Sequence, residues 1–194
     1  MTLLNAPFGL VASRSIGAPT QVQNEYYHSA SDSVALFSGD PVISNDNPSS
    51  LNATSGVVGV PDGTPIAKAS GTITTTAIRG VVLSVRPTYS NLTLQYAPAS
   101  TGCAVNVCDN PEQLFIIQSN GTVATSDMGN TCGITSGSGS TTVGTSAYVL
   151  TETVGTSSYV LRIVRLAPII NNALAAYGIV EVSINLHELR NTAG

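Results

Sequence analysis

No stretch of this 194-residue chain repeats its apolar residues at the three-and-four spacing of an amphipathic helix. The apolar residues come instead in short β-branched runs stopped by Gly, Pro, Asn or Ser. Such runs suit a pleated, half-buried surface, and the stops supply turns. Gly80–Val85, Leu92–Tyr96, Val105–Val107, Gln113–Gln118 and Ser158–Leu166 therefore read as strands. Val34–Ile43 is another, with Gly39-Asp40-Pro41 as a turn or bulge, because proline donates nothing to a ladder. Val57–Val60 is a short strand closed by the turn Pro61-Asp62-Gly63, Thr72–Ile78 is half apolar, and Asn120-Gly121 is a hairpin signal. In Ile179–His187, the residues Val180, Val182, Ile184 and Leu186 share one parity, and Ile179 with the polar Glu181, Ser183, Asn185 and His187 the other. That predicts one buried and one polar face. Pro168 opens a loop with one helical turn at Asn172–Tyr177. Gly144–Thr151 recurs in similar form eleven residues later as Gly155–Arg162. Two copies are too few for a solenoid and read as two strands in similar wall positions.

Roughly eight to eleven short strands without helical crossovers predict an all-β fold: a mostly antiparallel barrel or sandwich, with no long helix. Residues 1–33, interrupted by Pro7, Gly9, Gly17 and Pro19, read as an extended N-terminal arm, and residues 34–194 as a single β-domain. An arm carrying Leu3, Leu4, Phe8, Leu10 and Ile16 must dock on its own domain or on a neighbour.

Charge narrows the function classes. Only 9% of residues are charged, against a usual ~25%. Polarity comes from 22 Thr, 23 Ser and 14 Asn. The net charge is −4, and the six Arg and single Lys are scattered. Arg162 and Arg165 are near neighbours, but three apart on a regular strand they face opposite sides. No basic stripe forms, so no nucleic-acid partner is expected. No run reaches transmembrane length, and Met1–Leu10 lacks a basic n-region, so no membrane partner and no signal peptide are expected. Sparse charge with a mean hydropathy of +0.23 points to a surface covered by further copies or by a partner.

Reaction chemistry finds little footing. There is no phosphate-binding loop, no H-E-x-x-H and no G-x-S-x-G. His28 and His187 are the two histidines, and His187-Glu188 reads as surface polarity. Asp40, Asp46, Asp62, Asp109 and Asp127 lie beside Gly, Pro, Asn or Ser and read as turn caps rather than calcium ligands. Cys103, Cys108 and Cys132 read as buried thiols, with a Cys103–Cys108 bridge left open. The expectation is a protein that catalyses no reaction and takes no cofactor, metal or small-molecule substrate.

Several segments resemble one family. Asn5-Ala6-Pro7-Phe8-Gly9-Leu10 and Phe37-Ser38-Gly39-Asp40-Pro41-Val42 are similar to segments of tailed-bacteriophage capsid decoration (cement) proteins. So are Asp109-Asn110-Pro111 with Phe115-Ile116-Ile117-Gln118, Asp127-Met128-Gly129-Asn130, and Val180–His187. Between Gly59 and Tyr96, Thr-rich sequence replaces the family's Gly, aromatic and Trp residues. The resemblance implies synthesis in a bacterial host cytoplasm and a place on the outer capsid surface. It implies the major capsid protein as partner, assembly as a homotrimer, and stabilisation of contacts between capsomers. In that reading Phe8, Leu10, Tyr26 and Tyr27 are the contact anchors, because aromatic side chains dominate interface energetics. The alternatives are a tail, head–tail or head-fibre protein, a carbohydrate-binding β-module with an aromatic platform, and an enzyme with a cleft on His28 or His187.

Overall fold

A computed structural model describes residues 3–17, 22–45, 65–88, 91–155 and 158–190, with backbone alone for 152–154. The strand expected at Val57–Val60, its turn at Pro61-Asp62-Gly63, and Asp46 lie outside the described residues. The described strands are β1 (Val11–Ser15), β2 (Asn24–His28), β3 (Pro41–Ser44), β4 (Pro65–Lys68), β5 (Thr72–Ile73) and β6 (Gly80–Val85). They continue with β7 (Cys103–Cys108), β8 (Gln113–Gln118), β9 (Thr131–Thr135), β10 (Val149–Gly155), β11 (Leu161–Leu166) and β12 (Ile179–Ile184). Among the described residues the helical structure is one 3-10 turn, Thr125–Asp127. The protein is all-β and mostly antiparallel, as its strand pattern predicts.

Seven strands form one sheet in the order β1-β8-β12-β11-β9-β10, with β5 also on β9, and five close a barrel, β2-β4-β3-β6-β7. The pair β2–β4 is parallel. Closure leaves those five strands no free edge. Barrel and sheet share a wall. On β6 and β7 successive side chains point to opposite sides. Val82 and Val107 face the barrel core with Tyr26, Leu36, Val42 and Ile66. Val81 and Cys108 face the second core with Phe115, Ile117, Ile134, Leu161, Val180 and Val182. A wall buried on both sides explains why Gly80–Val85 reads as a nearly continuous apolar run. Each fully buried Val, Ile or Phe contributes about 1.5–3 kcal/mol relative to exposure.

An extended N-terminal arm is not confirmed over the described residues 3–17 and 22–33. β1 pairs with β8 of the sheet, and β2 is a barrel wall between β4 and β7. Gly9 precedes β1, and Gly17 lies between β1 and β2. Leu92–Tyr96 is not a strand either. The Asn91 side chain accepts from the Thr93 amide at 3.1 Å and from the Thr93 hydroxyl at 3.0 Å, which turns the chain there. Asn120-Gly121 does not join two paired strands, since β8 pairs with β1 and β12. The loop after Pro168 has no helical turn: Asn172 bonds the Ala167 and Ile179 backbone instead, at 2.7–3.0 Å. The duplicated segments do take similar wall positions. Leu150 and Leu161, equivalent in the two copies, pair with β9 from its two sides and enter one core.

Cys103 and Cys108 sit at opposite ends of β7, about 17 Å apart on an extended strand. A disulfide needs Cα atoms within about 7 Å, so the bridge left open by sequence is excluded by geometry. None of the three thiols is in a disulfide, and all three are buried. Burial pushes Cys103 up to about 11, and burial with the Asp127 carboxylate pushes Cys132 up to about 12. Thiolate is the reactive form. A thiol reagent at pH 8 should therefore label none of the three in native protein and all three in urea. Rapid native labelling would contradict this packing.

Candidate functional site

Two of the family-like segments meet at one seam between barrel and sheet. The Leu10 amide donates to Gly39 O at 3.0 Å, and the Gly39 amide to Val82 O at 2.8 Å. The Ser146 amide donates to Ser38 O at 2.8 Å. Gly9 and Gly39 take φ of +76° and +93°. A Cβ on Gly9 would lie 2.5 Å from Ser146 Cβ and 2.7 Å from Gly39 O. Glycine stands there because both the left-handed backbone and the close approach require it. Beneath the turn Asp40 is fully buried, with Oδ2 accepting from the Phe37 amide at 2.9 Å and from Lys68 Nζ at 2.8 Å. Lys68 also lies over the Phe37 and Tyr148 rings, 5.3 Å from each centroid. The chain's single lysine therefore ties β4 to this turn.

A second polar group closes one end of the barrel. Tyr26 Oη donates to Asp109 Oδ2 at 2.5 Å and accepts from Arg79 Nε and Nη2 at 3.1 and 3.0 Å. Asn24 Nδ2 donates to both Asp109 oxygens. Burial, then the Asp109 carboxylate, pushes Tyr26 up to about 12, so it stays a phenol. His187 Nδ1 accepts from the Leu189 amide at 3.0 Å, which leaves the ring proton on Nε2. Burial, then Arg190, lowers its pKa to about 4. His28 places its ring nitrogens 3.3 Å from Thr101 O and 3.0 Å from Val34 O, with Asp32 Oδ2 at 3.5 Å. Both histidines thus have carboxylates in their surroundings, but both are sealed in the interior. Most of these polar atoms bond one another and tie strands together, while His187 Nε2 and Asp32 Oδ2 are buried without a hydrogen-bond partner among the described residues. His187 belongs to the core rather than to the exposed polar face that its parity predicts.

The outer face of the sheet holds the third group. Glu181 on β12 accepts from Ser13 Oγ at 2.8 Å, from Arg14 Nε and Nη2 at 3.1 and 3.2 Å, and from Arg165 Nε at 2.6 Å. The carboxylate is fully covered while the two arginines stay about half exposed. Burial alone would raise the Glu181 pKa; the hydrogen bonds from Arg14, Arg165 and Ser13 outweigh it and hold it at about 2. The pairing of β11 with β12 shifts register between Ile163 and Arg165, so Arg162 lies opposite Ser183 and Arg165 opposite Glu181. Ser183 and Glu181 share a face. The extra residue therefore brings Arg162 and Arg165 to the same side, against the opposite-face expectation.

Of the four expected contact anchors, Leu10 lies in the sheet core, Tyr26 in the barrel core, and Tyr27 is also buried. A side chain already covered by its own domain has little apolar area left for a partner, so these three do not form a contact surface. Phe8 is half-buried beside the seam. The structure does not bring the four together as one exposed patch. Sequence reading missed the Arg14–Glu181–Arg165 group and the Lys68–Asp40 pair. The available signals were a carboxylate inside an apolar strand and a lone lysine beside Pro65-Ile66-Ala67. Comparison of the chain with protein-family models, with curated proteins and with solved structures returned no significant match.

Proposed function

We propose that this protein is a capsid decoration protein, binding the expanded head shell of a tailed bacteriophage and stabilising contacts between major capsid protein capsomers, as a homotrimer on the outer surface. The observation that carries the reading is the seam: the two family-like segments, Asn5–Leu10 and Phe37–Val42, are far apart in sequence yet hydrogen-bond through Leu10 and Gly39. The two segments thus act as one structural unit, which supports the reading. The remaining polar chemistry supports a structural role. Asp40, Lys68, Tyr26, Asp109 and Glu181 are engaged with neighbours of the same chain. A multi-copy cement also needs little affinity per subunit, because the repeated geometry of a shell supplies avidity.

The carbohydrate-module reading loses its main requirement, since no aromatic side chain among the described residues is exposed. Co-sedimentation with expanded and unexpanded heads tests the decoration reading. Saturable binding to expanded heads alone, at a fixed ratio to the major capsid protein, is the expected result. Absence of binding to either shell overturns it.

A further inference from the structure

The loop between β11 and β12 exposes apolar side chains from an ordered backbone. Ile170 is 90% exposed, and Ile169 and Leu174 are exposed beside it. The loop is nevertheless fastened. Asn172 Nδ2 donates to Ala167 O at 2.9 Å and to Ile179 O at 2.7 Å, while its Oδ1 accepts from the Ile179 amide at 3.0 Å. Gln118 Nε2 donates to Leu4 O at 2.8 Å and to Tyr177 O at 3.4 Å, which brings Leu4, itself 80% exposed, to the same end of the sheet. Apolar groups held in place this way lose little conformational entropy when a partner covers them.

The arginines begin at that end. Leu166 pairs with Val180, and the next register positions place Arg165 opposite Glu181 and Arg162 opposite Ser183. From Ile179 to Ser183 is about 14 Å along the strand. Among the described side chains, Arg14, Arg162 and Arg165 thus stand against the carboxylate of Glu181, an excess of two positive charges on a chain of net charge −4. Among the described residues Arg162 has no ion-pair partner. Apolar groups flanked by arginine are the composition of a recognition surface rather than of a solvated one.

We propose that the outer face of the larger sheet, Arg14, Arg162 and Arg165 with the adjoining Ile170 loop, is the docking surface for an acidic protein partner that also offers an apolar contact. Charge disfavours a self-complementary pair of copies and favours an acidic partner. A two-fold contact with a second copy would set the same arginines against one another, and like charges brought together in a desolvated interface repel strongly. A surface rich in carboxylates meets them favourably and seats its apolar part on Ile170. Identifying that partner with the head shell rests on the decoration reading; the surface itself does not.

The test uses the whole chain and two probes. The first is a fluorescein-labelled random copolymer of glutamate and tyrosine, followed by anisotropy; the second is expanded heads, followed by co-sedimentation. Arg162→Glu and Ile170→Asp change exposed positions, and Leu92→Asp, at a 75% exposed position in the β6–β7 connection, is the control. Wild type and Leu92→Asp should bind the copolymer alike and lose affinity as salt rises. Arg162→Glu and Ile170→Asp should each bind at least tenfold more weakly, with unchanged thermal unfolding. Equal copolymer binding by all four proteins overturns the proposal. Copolymer binding lost in the two variants, without shell binding by wild type, supports the surface and removes the decoration reading. Shell binding indifferent to both substitutions, together with equal copolymer binding, keeps that reading and overturns the surface. Light scattering that shows either variant dissolving a wild-type oligomer also overturns it, because the occupant is then a second copy.

Discussion

Replacing Lys68 by methionine is expected to cost about 3–5 kcal/mol of stability, the usual penalty for stranding a buried charge. Asp40 is fully buried, and Lys68 Nζ is its ionic partner at 2.8 Å. Without the ammonium the carboxylate keeps the Phe37 amide but no counter-charge. The seam that joins barrel to sheet lies directly above it, so the loss should appear in a global unfolding transition rather than as local fraying. Urea unfolding measures it as a lower midpoint at similar slope. The double variant Lys68→Met with Asp40→Asn removes both charges and should recover a large part of the loss, since no unpaired charge is then buried. A midpoint unchanged in the single variant, or no recovery in the double, would remove the ion pair from the account of stability.

Acid should weaken the protein in two overlapping windows. His187 titrates near 4 in the folded chain against an ordinary 6.5. The unfolded chain takes this proton first, so its contribution is complete above about pH 6.5 and declines as pH falls to about 4. Glu181 titrates near 2 against an ordinary 4.5. Its contribution is complete above about pH 4.5 and declines towards pH 2. Each linkage is worth at most about 3 kcal/mol, and solvent screening at the half-exposed arginines brings the Glu181 share to about 1–2 kcal/mol. His187→Asn keeps an acceptor for the Leu189 amide and should flatten the slope between pH 6.5 and 4. Glu181→Gln should flatten it between pH 4.5 and 2. Unfolding curves across that range decide the matter: slopes identical to wild type in both variants would show that neither group is linked to folding as described.

Local chemistry was largely legible in the sequence. Gly80–Val85 and Gln113–Gln118 form strands with the expected bounds, because alternation and flanking turn residues are properties of a few neighbours. The turn at Gly39-Asp40 was legible for the same reason. The candidate surface was not. Arg162 and Arg165 should diverge on a regular strand, and only a register shift against β12 turns them to one side. That shift depends on the strand next door, which the local sequence does not name.

The N-terminal segment shows the same divide. Its breakers point to an extended arm and give no sign that β1 joins the sheet and β2 the barrel. Pairing partners tens of residues away are chosen by burial of a whole face. Glu181 illustrates the point: its parity correctly placed it on the outer face of β12, and three side chains from β1 and β11 then covered it. Periodicity, turn chemistry and the all-β class came from the order of residues along the chain. Which strands pair, which charges are buried, and which arginines share a face came from long-range packing, because those energies exist only between segments that the fold brings together.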